Sequence, residues 1–356
     1  MKIRTLPGLP RHATVVLITA VFSVLAAIGP AAADSVTTPP ATSIVFVGDH
    51  VDDAAMDSIC SAYNATSPAS PCYNYDSAGS SPITPKAGAI TAARPYGCDP
   101  GVALLNSTTS STVDSARCGR NPRAGGNIDW FIPFATDAVG WAGYTGGNAP
   151  HGLSTTDLKY IYSCAITNWN QIVDEPGYTG PNAPIDVFLP PVDSSMRAFF
   201  LAALGMGPDG PNPLGPPPAC WRGDNPQDSE GTNPAFQNDP NAIIPYSLGH
   251  YIGQVYRGLG SGTDRPGALD ANRSIDGVEQ IDTVNHVFNT AISLNYRYAL
   301  YNVVRQADWA DPVKGPRLKA LLARPVAGGW LCSHPSAIIS TGFLNMPGCG
   351  SLSAGI

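Results

Sequence analysis

Charge is scarce in this chain: Asp, Glu, Lys and Arg make up 13% of its 356 residues, about half the usual share. Together with 43% hydrophobic residues, this excludes a disordered, charge-solvated polymer and predicts a packed interior under a neutral surface rich in Ser, Thr, Asn, Gly and Pro. Basic residues are the scarcer kind, 20 against 27 acidic. A nucleic-acid partner, which needs a positive field, is therefore excluded. The common signatures of metal and hydrolytic sites are missing too. None of the eight cysteines belongs to a Cys-x-x-Cys pair of the kind that sets zinc geometry. The six histidines are scattered, and neither His-Glu-x-x-His nor Gly-x-Ser-x-Gly occurs. No cofactor is implied and no enzyme is expected.

Past the amino terminus, no stretch is long or apolar enough to span a bilayer. At the terminus itself, Lys2, Arg4 and Arg11 precede an apolar run from Ala13 to Gly29 that closes with Ala31, Ala32 and Ala33. This pattern predicts a signal peptide over residues 1–33, with a retained membrane anchor as the competing reading. No cysteine follows the run to take a lipid, so the mature chain is expected to be secreted, released or loosely held at the cell surface. Its formal charge would be −10. All eight cysteines (Cys60, Cys72, Cys98, Cys118, Cys164, Cys220, Cys332 and Cys349) fall in the mature part, and an even count in an exported chain implies up to four disulfides. Proximity in sequence suggests Cys60–Cys72, Cys98–Cys118, Cys164–Cys220 and Cys332–Cys349, each adding about 2–4 kcal/mol.

The length suggests two lobes, at about one domain per 150 residues. After a Thr/Pro linker over residues 34–42, Ser43 to Val47 is a β-rich run. Gly48 and a helical pattern with Met56, Ile59, Cys60 and Tyr63 on one face follow it. Strand, glycine turn and helix open an α/β unit. Two apolar runs flank Thr136 and Asp137 between Ile128 and Tyr144, long enough to pass from one lobe to another. Ser154-Thr155-Thr156-Asp157 reads as a capping box. Pro184 to Pro190 reads as a strand and Arg197 to Met206 as the helix after it, and Asn241 to Gln254 repeats that order. The Pro- and Gly-dense stretch from Gly207 to Asp239 reads as a long loop.

Strand-to-helix loops expose free N–H groups at helix starts, so two such loops facing each other make an oxyanion site without a metal or a nucleophile. The candidates are Gly48, Asp49, His50 and Val51 in the first loop, and Asp193, Ser194, Ser195 and Arg197 in the second. The serines add hydroxyl donors and Arg197 a bidentate charged contact. Each serine also fits an ordinary N-cap. Gly79 with Ser80, and Arg117, are weaker signals of the same type. Asp49, Asp52 and Asp53 beside His50 could support acid–base or calcium chemistry, or simply favour the start of a helix. Gly260-Ser261-Gly262-Thr263 spells a phosphate-loop motif, but Asp264-Arg265-Pro266-Gly267 is a poor helix start, so a flexible surface loop is expected there.

Taken in order, these segments resemble the phosphate-binding family of type II periplasmic and extracellular solute-binding proteins, particularly its actinobacterial members. The resemblance runs from about Ser43 to Gly350. It rests on Tyr75-Asp76-Ser77-Ala78-Gly79-Ser80, Asp114-Ser115-Ala116-Arg117, Ile132-Pro133-Phe134-Ala135-Thr136-Asp137-Ala138-Val139, Thr167-Asn168-Trp169, Ser194 with Arg197-Ala198-Phe199-Phe200, and Pro245-Tyr246-Ser247. It implies a two-lobed α/β fold with mixed sheets flanked by helices and a ligand cleft between the lobes. One lobe would be built from 36–139 plus 292–356 and the other from 140–291. It also implies a monomer that binds a small ligand, phosphate or another oxyanion, and hands it to an ABC transporter membrane component.

The binding loops depart from that family. Asp49, His50, Val51 and Asp52 stand where Ser and Thr hydroxyls are usual. Asp193, Ser195 and Met196 interrupt the second-loop motif, and Cys118 with Gly119 replace two serines after Arg117. Each lost hydroxyl removes about 1.5–3 kcal/mol of bonding to a charged ligand. The departures point to the alternative of a binding or adhesion module on the same fold that has lost phosphate binding.

Overall fold

The computed structural model describes residues 38–124, 128–207, 210, 217–223, 228–260 and 262–355. The expected signal peptide, the start of the linker and parts of the Gly207–Asp239 loop lie outside them. Strand β1 (Ile44–Gly48) is flanked by parallel neighbours β2 (Cys72–Asn74) and β3 (Ser115–Cys118). Its side chains alternate between two buried layers, Ile44 and Phe46 in one and Val45 and Val47 in the other. A strand covered on both faces reads as a continuous apolar run, as this one does. At its end Gly48 adopts φ +124°, and a Cβ there would lie 2.7 Å from the Arg117 carbonyl oxygen. The turn that starts the first loop therefore requires glycine. Helix α1 (Asp53–Asn64) follows and buries Met56, Ile59, Cys60 and Tyr63, the predicted face.

The central element is β4 (Asp129–Tyr144), a 16-residue strand. Its first part pairs antiparallel with β13 (Arg297–Arg305), and β14 (Leu344–Asn345) and β15 (Ser353–Gly355) pair along the same stretch. From Val139 onward it pairs with β7 (Ala242–Ser247) and then β8 (Leu269–Asp270). The order across the sheet is β2-β1-β3-β13-β4-β7-β6, with β6 (Asp186–Val187) at the far edge. A small sheet of β5 (Gly152–Leu153), β9 (Ser274–Ile275) and β10 (Val278–Glu279), and a ribbon of β11 (Ile281–Asp282) with β12 (Val287–Phe288), lie apart from it.

The partner change occurs beside Asp137, which is fully buried. Its Oδ2 accepts from Ser247 Oγ and Tyr298 Oη, both at 2.6 Å, and its Oδ1 from the Gly249 and Ala138 N–H groups at 2.9 and 2.7 Å. Burial raises its pKa, and these hydrogen bonds counter the rise. One carboxylate thus ties β4, β13 and the β7 turn together.

Helix α2 (Cys98–Ser107) covers β1 and β3. Helix α3 (Thr155–Tyr162) starts with the predicted capping box, in which Asp157 N–H donates to Ser154 Oγ at 3.0 Å and Ser154 N–H to Asp157 Oδ2 at 2.9 Å. Helix α4 (Ser195–Ala203) begins two residues before the predicted Arg197, and the strand predicted over Pro184 to Pro190 shortens to two residues. Pro184 and Pro190, which lack an N–H to donate to a ladder, bracket it. Helix α5 (Leu248–Tyr256) follows β7 directly, with Ser247 as its N-cap. The sulfurs pair Cys60–Cys72, Cys98–Cys118, Cys164–Cys220 and Cys332–Cys349.

The turn before α2 meets the loop before α4. Gly97, at φ +93°, packs so closely that an added Cβ would lie 2.0 Å from the Asp193 carbonyl oxygen. Gly97→Ala is expected to push these segments apart and to cost about 1–3 kcal/mol. Urea denaturation checks this, and an unchanged midpoint would show that the contact carries no load.

Candidate functional site

The first loop delivers its side chains into a buried ion cluster. Arg117 on β3 is fully buried. Its Nε donates to the Asp49 carbonyl at 3.0 Å and one terminal nitrogen to the Tyr75 carbonyl at 3.0 Å. Its remaining bonds go to the Asn74 side chain and the Asp53 carboxylate. Asp52 Oδ1 lies 3.4 Å from its Nε. An arginine expected to reach a ligand is instead held by its own lobe. Its charge is needed there, because Asp49, Asp52 and Asp53 are all buried beside it. Desolvation raises the pKa of Asp52 well above its usual value, the Arg117 charge opposing it.

His50 sits at the centre of this arrangement. Its Nδ1 bonds Asp53 Oδ2 at 2.9 Å and Ser77 Oγ at 2.8 Å. Its ring stacks 5.9 Å from Tyr96 and 6.0 Å from His250. Burial would push its pKa down, but the hydrogen bond and charge of Asp53, with Asp264 and Asp228 beyond, outweigh burial and raise it to about 10. The ring is therefore an imidazolium at neutral pH. Val51 is buried and lends its carbonyl to His250 Nδ1 at 2.9 Å, while His250 Nε2 pairs with Asp264 Oδ1 at 2.7 Å.

Across the junction, Ser194 caps α4, its Oγ accepting from the Arg197 N–H at 3.0 Å and donating to Asp228 Oδ2 at 2.7 Å. Asp228 is fully buried, and desolvation lifts its pKa to about 7 against the charge of His50. Ser195 lies beside the Asp49 carboxylate and opposes the rise of its pKa, while the Asp49 Oδ2 accepts the Gly119 N–H at 2.8 Å and its Oδ1 the His50 N–H at 3.1 Å. The two predicted loops do meet. What lies between them is the protein's own carboxylate.

Three expected residues are placed otherwise. Ser80 is exposed, with its carbonyl accepting from Arg94, and Ser77 occupies the position beside His50. The irregular Tyr75–Gly79 segment leaves Ser77 buried and Ser80 exposed. Asp193 is exposed, and the backbone carbonyl is the part of it that meets Gly97. The Arg197 guanidinium donates to the Pro190 carbonyl at 2.9 Å and lies over the Trp221 ring, closing its own loop.

Residues that sequence reasoning did not assign complete the site. The Gly260–Asp264 loop, expected as surface, contributes Thr263 and Asp264 to a cleft wall. That cleft, of about 800 Å³, is also lined by His50, Asp53, Asp57, Asp76, Gly79 and Glu230. Asp228 and Asp264 come from loops without periodic pattern. His250 had a signal, since it lies three residues after the Ser247 cap. Among the described residues, no group of His, Cys, Asp and Glu could hold a metal ion, and no helix is long and apolar enough to cross a membrane.

Two α/β lobes sharing one long strand, with helix-start loops converging between them, define a two-lobed binding-protein fold. Solved structures share it. A candidate phosphate ABC transporter substrate-binding protein with bound phosphate, from Clostridium perfringens, superposes with a TM-score of 0.55 at 14% identity, covering 86% of this chain and 100% of its own. An ABC-type phosphate transport receptor from Vibrio cholerae gives 0.50 at 15%, covering 85% and 100%. No curated protein sequence matches significantly. A family model described as the PBP superfamily domain matches residues 34–245, and the chain belongs to that superfamily.

Two outcomes follow from the buried charges. The folded chain holds protons that the unfolded chain has released: burial and then the Asp53 charge raise Asp57 to about 7 and Asp76 to about 9, and Asp228 and His50 titrate late as above. Folded pKa values above the unfolded ones mean that stability falls as pH rises. The thermal midpoint is expected to drop steadily between pH 5 and pH 9, and Asp76→Asn to flatten the decline. A rising midpoint over that range would contradict the assignment. Arg117→Met strands buried carboxylates and is expected to cost about 3–5 kcal/mol, measured by denaturant titration at pH 7.

Proposed function

We propose that the chain is a secreted solute-binding protein whose two lobes, 36–139 with 292–356 and 140–291, close on a small ligand other than inorganic phosphate. Binding, not catalysis, is its role. In this reading the mature protein is a monomer that presents its solute to an ABC transporter membrane component; the relatives are named as a phosphate ABC transporter substrate-binding protein and an ABC-type phosphate transport receptor. The superfamily membership and the shared fold support the binding role, and the signal-peptide pattern supports export.

The observation that carries the ligand reading is the Asp49 carboxylate between the Gly119 N–H and Ser195. These two donors, at the meeting point of the loops, are the ones an oxyanion would use. Losing both costs a phosphate about 3–6 kcal/mol, and a like charge about 4 Å away adds about 4 kcal/mol of repulsion at an effective dielectric constant of about 20. Micromolar affinity corresponds to only about 8 kcal/mol, so the arrangement removes it. Burial raises the Asp49 pKa, which softens the repulsion but leaves the donors occupied.

Calorimetric titration of the mature chain with inorganic phosphate at pH 7.5 is expected to show no saturable binding up to about 1 mM, a concentration at which a micromolar site would be full. Asp49→Ser, which frees both donors, is expected to bring weak binding back. Micromolar binding to the unaltered chain would overturn the exclusion of phosphate.

A further inference from the structure

Resting on the reading of a solute binder that does not take phosphate, we infer that the open part of the cleft binds a small organic amine that carries an oxygen acceptor close to its cationic group. Two independent features of the cleft converge on this chemistry. The first is the character of the wall. Asp57 and Asp76 share one amide, Asn74 Nδ2 lying 3.0 Å from Asp57 Oδ1 and 3.3 Å from Asp76 Oδ1. Two carboxylates held this close repel each other unless a proton or a cation lies between them. Glu230 and Asp264 line the same cleft from the other lobe, and among the described residues His50 is the one cationic side chain in the lining. Arg94 stands at the rim, packed against Gly79 and bonded to the Asp76 and Ser80 carbonyls. An ammonium or guanidinium group entering here replaces the proton that the carboxyl pair must otherwise share.

The second feature is His50 itself. It lines the cleft, its side chain is 4% exposed, and its Nδ1 is committed to Asp53 and Ser77. Its Nε2 is buried without a hydrogen-bond partner. A buried N–H left unmade costs about 1–3 kcal/mol, and an imidazolium makes that nitrogen a donor. An anion alone would satisfy His50 but face the carboxylates, and a bare polyamine would satisfy the carboxylates but leave His50 unpaired. A ligand with an amine and a neighbouring carboxylate, carbonyl or hydroxyl oxygen satisfies both.

L-arginine is the probe, with spermidine as a cation lacking the acceptor and L-glutamate as the acid of opposite balance. Calorimetry on the mature chain at pH 7.5 is expected to show saturable L-arginine binding below about 1 mM, at least tenfold tighter than spermidine, and none for L-glutamate. The Asp57→Asn/Asp76→Asn double variant is expected to lose at least tenfold in affinity. Because it relieves a like-charge pair, it is expected to fold at least as stably, which circular dichroism and thermal melting check. Absence of L-arginine binding up to about 10 mM, equal affinity for spermidine, or undiminished binding in the double variant would each overturn the inference. Phosphate and L-arginine both binding would sink the phosphate reading alone. Neither binding would sink this one alone.

Discussion

The architecture depends on one strand that changes its partner partway along its length. Strand β4 exchanges β13 for β7 as its partner within a few residues, and such an exchange leaves backbone groups and a bend to be stabilised inside the protein. The Asp137 carboxylate does this with four hydrogen bonds, reaching Tyr298 on one side and the Ser247–Gly249 turn on the other. A buried carboxylate is costly in isolation, and here every bond it makes fastens an element that flanks the cleft. The same turn starts α5 and so places His250 against Val51 and Asp264. The geometry of the site is thereby coupled to the crossing point of the chain.

Beside the cleft, buried charges of both signs satisfy one another. Arg117, the strongest cation near the first loop, is consumed by Asp52, Asp53 and backbone carbonyls, and Asp49 fills the donors opposite. The surrounding carboxylates then outnumber the cations. The loops at the helix starts are here furnished with the protein's own internal anions. The donors are spent on the protein's own carboxylates.

The legibility of these features in the sequence followed their locality. The β1 strand, the α1 face and the Ser154–Asp157 box depend on residues a few positions apart, and period and capping chemistry reveal them directly. The two converging loops were also legible, because a strand followed by a glycine or serine and a helix is a local pattern. The failures were of a different kind. Ser80 looked like a donor and Ser77 did not stand out, since which of them faces inward depends on the path of an irregular segment. Asp193 and Arg197 read as ligand contacts, but the first is turned to solvent and the second is bound by Pro190 of its own loop and by Trp221 from the long loop after α4.

By itself, the sequence determined the class of fold, its even set of cysteines and the replacement of hydroxyls by Asp49 and Asp52, because each of these is a matter of composition or short-range spacing. Only the tertiary structure decided where those carboxylates point. It brought Asp49 to Gly119 and Ser195, Asp53 to Arg117, and Asp264 to His250 across separations that no periodicity spans. Whether an acidic residue repels a ligand, neutralises an arginine or takes the ligand's place depends on distances of a few ångströms and on burial, and both arise only once the chain has folded.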